Sequence, residues 1–210
     1  RPQRTLVFQL WDGEEWGLLG STEWAEHHKT ELIQNGVLYL NTDSYGWGWL
    51  SSAGSHTLQT FAREVTRDAW DPKSGGSALD ALAKRAMEQA RTAQDSTRLR
   101  ERGYTIAALG SGSDYTVFLD HLAVASLNMG YGGGLETGIY HSIYDSYDFF
   151  TRFLDPTFEY GKAQAGAVGI ALLRLADAPV LPWSFTDAAN TYRTYVAEID
   201  SLVARSPGTQ

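Results

Sequence analysis

Apolar and polar positions follow one another along the chain in blocks that predict a strand, a helix and a second strand. Residues 4 to 11, RTLVFQLW, are β-branched and aromatic, and their unbroken apolar run predicts a strand buried on both faces of a parallel sheet. A helix is predicted from about residue 15 to residue 33, closed by Gly36 in a left-handed cap. A second buried strand is predicted over residues 37 to 46. This order predicts a βαβ unit with a right-handed crossover.

The rest of the chain is predicted to be mainly helical, with one further strand. Periodic apolar positions predict helices over residues 56–70, 77–93, 157–176 and 186–205. A glycine-rich loop is expected to enter another helix at Ser113, and AVASLNM, residues 123 to 129, reads as a short strand. Residues 130 to 148 form a long glycine-rich and aromatic loop, and long ordered loops in compact domains are often functional. The class predicted is α/β, with a helical tail from about residue 178.

Composition and charge narrow the classes of protein to which this chain can belong. The chain is 43% hydrophobic with seven Trp and eleven Tyr, which is typical of a globular protein. Its formal net charge of -8 and the lack of a Lys/Arg cluster argue against a nucleic-acid or anionic-membrane surface. We expect neither a signal peptide nor a membrane-spanning segment, and the missing initiating methionine suggests a piece of a longer protein. With no Cys, any metal site must use His, Asp and Glu.

Acidic residues follow both predicted strands, and two explanations fit them. Asp12 ends the first strand, Asp43 ends the second, and Glu14 and Glu15 follow Asp12 directly. Acids favour the first turn of a helix, so Glu14 and Glu15 alone fit a helix N-terminus. However, ligands of open parallel sheets bind beyond the carboxyl ends of the strands, and buried carboxylates need a partner. Because no Lys or Arg lies in the neighbouring sequence, the metal explanation is favoured.

One histidine stands apart from the other four. His141 lies in the glycine-rich aromatic loop, within YHSIYDSYD, whereas His27, His28, His56 and His121 lie at or inside predicted helices. Zinc combines carboxylate oxygens with imidazole nitrogens and leaves a position for water when its site is catalytic. Together with the acids at the strand ends, His141 is therefore predicted to be a metal ligand.

Four motifs in a fixed order resemble a known family. WDGEEWGLLGSTEWAE, NTDSYG, LGSGSDYTVF and YHSIYDSYD resemble the zinc peptidases of the glutamate carboxypeptidase II and transferrin receptor group, within metallopeptidase family twenty-eight. The likeness covers essentially the whole chain. It implies a three-layer αβα zinc-exopeptidase fold with a mostly parallel mixed sheet, followed by the start of a helical domain. Residues 1–177 would then be the C-terminal part of the catalytic domain, and residues 178–210 the start of a helical dimerisation domain.

The resemblance also implies a role for each matching residue. Glu15 and His141 resemble ligands of a catalytic zinc, and Asp43 resembles a ligand of a second zinc. Glu14 matches the general base, and Tyr140 matches a tyrosine that hydrogen-bonds the developing oxyanion. The intact catalytic domain would hold two zinc ions, which activate water and polarise the scissile carbonyl.

Two further groups of residues match the family less specifically. Glu23 and Glu26 match carboxylates that bind a structural calcium in animal relatives, and an ordinary solvated acidic helix face explains them as well. The resemblance also implies substrate contacts from Ser111, Gly112, Ser113, Asn128 and Tyr195.

The chain departs from the family in its metal ligands. The family has a His and a bridging Asp in a short motif upstream of the strand that opens this chain, and no H-x-D sequence occurs here. Either the sequence is an excerpt of an active dizinc peptidase, or it is the whole chain and lacks a competent dizinc site. We expect the excerpt, because Glu14, Glu15, Asp43 and His141 are all metal-competent.

The chain also departs from the family in its specificity residues. Thr194 and Tyr195 stand where the glutamate-specific enzymes have a Lys-Tyr pair, and Asn128 and Gly130 stand where arginines are expected. A buried substrate carboxylate would lack its charged partners. The sequence therefore predicts a less acidic peptide or dipeptide as substrate, and it leaves open whether amino or carboxyl termini are trimmed.

A competing class is a non-enzymatic receptor or scaffold, because the transferrin receptor shares this fold without a working site. Such a protein would be free to lose the metal-competent residues that this chain keeps. The resemblance further implies a homodimer, a membrane anchor outside this chain, and a secreted, periplasmic or cell-surface location.

Overall fold

The chain folds around a small mixed sheet. The computed structural model describes residues 2–43, 45–135 and 138–205. The sheet contains three strands, β1 (Tyr39–Asn41), β2 (Gly48–Gly54) and β3 (Ser126–Gly133), in the order β1-β3-β2. β3 pairs in parallel with β1, so that Asn41 faces Asn128, and it pairs antiparallel with β2. The α/β class with a mixed sheet is therefore confirmed, although the sheet is small.

Helices make up most of the remaining regular structure. The α-helices are α1 (Leu19–His27), α2 (Lys29–Asn35), α3 (Gln59–Asp68), α4 (Ala78–Gln89), α5 (Ala93–Arg102), α6 (Tyr147–Phe149), α7 (Glu159–Asp177) and α8 (Phe185–Arg205). A 3-10 turn covers His56–Leu58, and π-helical turns cover Val117–His121 and Phe150–Leu154. In the part of the chain that the structure describes, no helix combines the length and apolar character needed to cross a bilayer.

The main core lies between one face of the sheet and helices α3 and α7. Alternation along β3 sends Leu127, Met129 and Tyr131 to this face, where all three are buried. The helices contribute small and apolar side chains, and α7 presents a row of alanines at helical spacing. Small residues bring the α7 backbone close to the sheet. The opposite face of β3 carries Asn128 and Gly130, so this face of the sheet presents a polar amide and no apolar side chain at these two positions.

A second, aromatic cluster lies between α1 and the Val117–His121 turn. Tyr39 of β1 stacks on Phe118 with ring centroids 4.0 Å apart and planes 7° from parallel. Trp11 and Trp24 pack beside Phe118, and Trp11 donates a hydrogen bond from Nε1 to the Tyr39 hydroxyl at 3.0 Å. This cluster fixes the first strand of the sheet relative to the segment that precedes α1.

The predicted strand over residues 4 to 11 is wrong for this structure. Among the described residues no strand pairs with this segment, and Val7, Phe8 and Leu10 are 65%, 80% and 100% exposed. Its ends are fixed instead by the hydrogen bonds of Arg4 to the end of α7 and by Trp11. A strand takes its hydrogen bonds from neighbouring strands, so an apolar pattern alone cannot form one. The predicted βαβ unit therefore lacks its first strand.

Other boundaries differ from the sequence prediction in smaller ways. The helix expected over residues 15 to 33 begins at Leu19 and is interrupted at His28, and the strand expected over 37 to 46 covers only Tyr39–Asn41. Gly36 has a φ of -65°, so it is not a left-handed cap; a Cβ there would collide with the Leu32 carbonyl oxygen. β2 lies outside the predicted strands, because its sequence GWLSSAG is rich in glycine and serine and lacks the usual strand pattern.

The two long C-terminal helices agree with the prediction. α7 covers Glu159–Asp177, where residues 157–176 were expected, and α8 covers Phe185–Arg205, where residues 186–205 were expected. The start of α8 is held against α3, because Asp187 accepts hydrogen bonds from the Thr60 hydroxyl and backbone N–H. The predicted domain boundary near residue 178 stays a prediction.

Candidate active site

The acidic motif before α1 folds as a series of tight turns and not as a helix end. Backbone hydrogen bonds from Gly17 and Leu18 return to the Glu14 carbonyl, and Leu18 has a φ of 59°. α1 begins at Leu19 with no acidic residue in its first turn. Glu14 and Glu15 therefore do not cap the helix dipole, and the alternative explanation of these acids from the sequence does not hold.

Glu15 and His141, far apart in sequence, meet in space. Glu15 Oε1 lies 3.1 Å from His141 Nε2, and the two side chains are 68% and 54% exposed. Tyr140 stacks on the His141 ring with centroids 3.8 Å apart. His141 has a φ of 59°, a backbone conformation that costs energy for a residue other than glycine and is common at functional sites. A carboxylate oxygen and an imidazole nitrogen at this separation can serve one metal ion.

Glu14 lies among the other acids of the site. Burial raises the pKa of Glu14, and the negative charges of Glu15, Asp114 and Asp43 raise it further, whereas His141 lowers it. These interactions place Glu14 in the same electrostatic environment as the three predicted metal ligands. A carboxylate with a raised pKa is a stronger base, which suits a group that accepts a proton.

Asp43 is held by a hydrogen bond from another segment. Ser113, at the end of the glycine-rich loop before the Val117–His121 turn, donates a short hydrogen bond from Oγ to Asp43 Oδ2. Ser113 is buried, and its hydroxyl accepts a hydrogen bond from Asn41 Nδ2 at 3.3 Å. Asn41 also donates to Asn128 Oδ1 at 3.3 Å. These contacts give Ser113 and Asn128 partners within the protein, while their predicted substrate contacts stay predictions.

The three predicted metal ligands are not all brought to one point. Within residues 2–43, 45–135 and 138–205, no group of three or more His, Asp or Glu side chains is arranged to hold a metal ion. Glu15 and His141 form a pair, and Asp43 lies with Ser113 instead. The resemblance likewise assigns the pair to one ion and Asp43 to another. A carboxylate oxygen and an imidazole nitrogen are both donors that zinc takes in proteins, so the pair fits this metal.

The remaining predicted residues lie at several places. Glu23 and Glu26 are exposed on α1, and Glu26 lines an open groove of about 350 Å³ with Asp120 and His121. Their calcium role stays a prediction. Tyr195 lies on α8 with its hydroxyl 2.9 Å from His56 Nε2. That contact is with a histidine outside the acidic cluster, and the predicted substrate contact of Tyr195 stays a prediction.

Ser111 and Gly112 form the bend that precedes Ser113. Gly112 has a φ of 119°, which only glycine adopts readily, and the Ser111 carbonyl accepts a hydrogen bond from the Tyr115 hydroxyl at 3.2 Å. The bend directs Ser113 toward Asp43. Substrate contacts from Ser111 and Gly112 stay predictions.

Sequence reasoning missed Asp114. This residue is buried, one of its carboxylate oxygens has no hydrogen-bond partner among the described residues, and burial raises its pKa. Asp114 contributes to the raised pKa of Glu14. One feature of the sequence could have indicated Asp114: it directly follows Ser113, which was already predicted to belong to the site, at the end of the glycine-rich bend.

The fold and the site together define an α/β chain with a carboxylate–imidazole pair and a further acidic group beyond the carboxyl end of β1. Comparison with known proteins gives the family. The profile described as Peptidase family M28 matches residues 1–154, and the chain belongs to that family.

Individual relatives carry peptidase names. The chain is 34% identical over 191 residues to a "Probable glutamate carboxypeptidase" of Arabidopsis thaliana, covering 90% of this chain and 26% of the relative. It is 32% identical over 210 residues to a "Probable glutamate carboxypeptidase" of Arthroderma benhamiae, covering 98% and 27%. It is 29% identical over 204 residues to "Aminopeptidase NAALADL1" of Rattus norvegicus, covering 93% and 27%. The chain thus spans about a quarter of the length of these relatives.

Proposed function

We propose that the protein that carries this chain is a zinc-dependent exopeptidase of the M28 type. The observation that carries the proposal is the contact of Glu15 Oε1 with His141 Nε2, with Glu14 beside it among further acids. The relatives that are named carboxypeptidases and aminopeptidases support a peptidase, and this region matches them over nearly its whole length.

In the proposed hydrolysis, different residues bind the metal ions, transfer the proton and stabilise the oxyanion. Glu15 and His141 would hold one zinc ion, and Asp43 would contribute to a second. Bound zinc lowers the pKa of a water molecule and polarises the scissile carbonyl. Glu14 accepts a proton from the attacking water and returns it to the leaving amine, which requires a carboxylate within hydrogen-bond reach. Tyr140, stacked on His141, donates a hydrogen bond from its hydroxyl to the oxyanion.

The proposal includes a preference against acidic substrates. On β3, Asn128 and Gly130 occupy the sheet face that carries Asn41, and neither supplies a cation. Two of the three relatives described above are named glutamate carboxypeptidases, so the preference must be measured for this protein. A panel of dipeptides that differ only in the C-terminal residue tests it. Fastest hydrolysis of the acidic members would contradict the proposal.

The catalytic role of Glu14 is tested by Glu14→Gln in the protein with its upstream segment present. We expect kcat to fall about 10²- to 10⁴-fold, the usual contribution of a general base, while the zinc content stays at the wild-type value. Glu15→Gln is the matched variant on the next residue, and it should lose zinc. Unchanged hydrolysis in Glu14→Gln would refute the mechanism, and a wild-type protein without zinc or hydrolysis would favour the receptor class.

Homodimerisation is proposed on the same family resemblance. The outer face of α8 exposes Val196, Ile199 and Val203, which lie at helical spacing and suit contact with another apolar surface. Sedimentation of the protein at several concentrations tests the oligomeric state. A membrane anchor outside this chain, and a secreted, periplasmic or cell-surface location, are proposed on the resemblance alone.

A further inference from the structure

A chain of hydrogen bonds connects the aromatic cluster with Asp43. Trp11 Nε1–H donates to the Tyr39 hydroxyl at 3.0 Å, and that hydroxyl donates to Asn41 Oδ1 at 3.0 Å. Asn41 Nδ2 donates to Ser113 Oγ at 3.3 Å, and Ser113 Oγ–H donates to Asp43 Oδ2. The five residues come from three separate segments, and Asn41 and Ser113 are each only 4% exposed.

The two ends of this chain fix the direction of every bond in it. The indole of Trp11 can only donate, and at the other end Asp43 Oδ2 accepts the proton of the Ser113 hydroxyl. Tyr39 must therefore accept from Trp11 and use its own proton toward Asn41. Asn41 then presents its NH₂ group to Ser113, which leaves the Ser113 proton for Asp43. If the Asn41 amide were reversed, its oxygen would compete with Asp43 for that proton.

The middle of the chain is held firmly and stays protonated. Tyr39 lies flat on Phe118, and the second amide proton of Asn41 is taken by Asn128 Oδ1. Burial raises the pKa of Tyr39 to about 12, so its hydroxyl keeps its proton at any physiological pH. Because both N–H groups and the oxygen of Asn41 have partners, the amide has one favourable orientation.

We propose that Ser113 is a positioning residue that orients Asp43 as a metal ligand, with Trp11, Tyr39 and Asn41 fixing the direction of its hydroxyl. The inference rests on the proposed function for the presence of the metal. It also replaces the predicted substrate contact of Ser113 with a role inside the protein. Carboxylates that bind metals are themselves hydrogen-bonded, and loss of such a partner typically weakens metal affinity 10- to 100-fold.

The test measures zinc affinity by competition with a chelator, in the protein with its upstream segment present. We expect Ser113→Ala to bind the zinc ion that Asp43 would hold 10- to 100-fold less tightly than wild type. Thr116→Val is the matched control, because the Thr116 hydroxyl donates to the Ser113 carbonyl at 2.8 Å but takes no part in the chain. Its zinc affinity should be unchanged. Tyr39→Phe keeps the ring stack on Phe118 but removes the hydrogen bond to the Asn41 amide oxygen. We expect this variant to lose less zinc affinity than Ser113→Ala.

Two results would overturn the proposal. Wild-type zinc affinity in Ser113→Ala refutes it, and a raised KM with unchanged zinc affinity assigns Ser113 to the substrate instead. Crystal structures of the metal-free wild type and Ser113→Ala variant separate this inference from the proposed function. If the wild type binds no zinc, the proposed function fails, but displacement of the Asp43 carboxylate in the variant still supports positioning. An unmoved carboxylate contradicts positioning whether or not zinc binds.

Discussion

Replacement of Phe118 by alanine should destabilise the protein strongly, because this ring is the centre of the aromatic cluster. Phe118 is 3% exposed, stacks on Tyr39 at 4.0 Å and packs against Trp11 and Trp24 at 6.1 and 6.5 Å between ring centroids. Phe→Ala changes in cores cost about 3–5 kcal/mol, including the cavity left behind. With three aromatic neighbours around the ring, we expect about 4 kcal/mol, a large share of the roughly 5–15 kcal/mol that stabilises a typical domain.

Urea unfolding, followed by tryptophan fluorescence, measures this loss, since Trp11 and Trp24 report on the same cluster. Phe153→Ala is the matched control. Phe153 is 53% exposed and has Phe149 as a ring neighbour at 5.2 Å, so its removal should cost about 1 kcal/mol or less. Equal losses in the two variants would refute the claim that the cluster around Phe118 supports this side of the sheet.

Three further predictions concern charge and backbone geometry. Glu14→Gln should raise the thermal midpoint of the metal-free protein at neutral pH, because the raised pKa of Glu14 means that its charge destabilises the fold; the gain should vanish in acid, where Glu14 is protonated. Hydrogen bonds from Arg67 and Arg174 lower the pKa of Asp68 from 3.8 to about 2. The ionised Asp68 carboxylate therefore stabilises the folded state above about pH 4, and this contribution is lost as the pH falls toward about 2. Acid titrations of stability in wild type and Asp68→Asn should differ in that window. Gly20→Ala should cost about 1–3 kcal/mol by urea unfolding, because its Cβ would collide with the carboxylate and the carbonyl oxygen of Asp12, which begins the acidic turn of residues 12 to 18.

Helices could be predicted from the sequence because their hydrogen bonds and their pattern are local. The spacing of apolar residues in α7 is visible in a single stretch, and the observed Glu159–Asp177 lies close to the expected 157–176. The strand expected over residues 4 to 11 has an equally clear pattern, but a strand depends on neighbours that the pattern does not show. β2 was missed for the opposite reason, since its serines and glycines hide a strand that is formed by pairing with β3.

The candidate site could be predicted only in part, for a related physical reason. The motifs pointed to Glu15 and His141, which the structure brings into contact across 126 positions of sequence. Asn41 and Asp114 were missed because their importance comes from burial and from partners on other segments. A neutral amide and an acid after a glycine-rich bend have no spacing that distinguishes them from surface residues.

The turn that carries Glu14 and Glu15 brings like charges close together, and this repulsion destabilises the fold. Glu14, Glu15, Asp43 and Asp114 interact closely enough for their charges to raise the pKa of Glu14, and His141 is the group that counters them. A cluster of like charges destabilises a fold unless a cation is bound or the groups take up protons. The side chains of neighbouring residues on a tight turn point in different directions. Glu15 can therefore bind a cation together with His141, while the Glu14 carboxylate remains available to accept a proton. The same turn that places like charges together therefore separates the metal ligand from the base, and this separation is what the proposed hydrolysis requires.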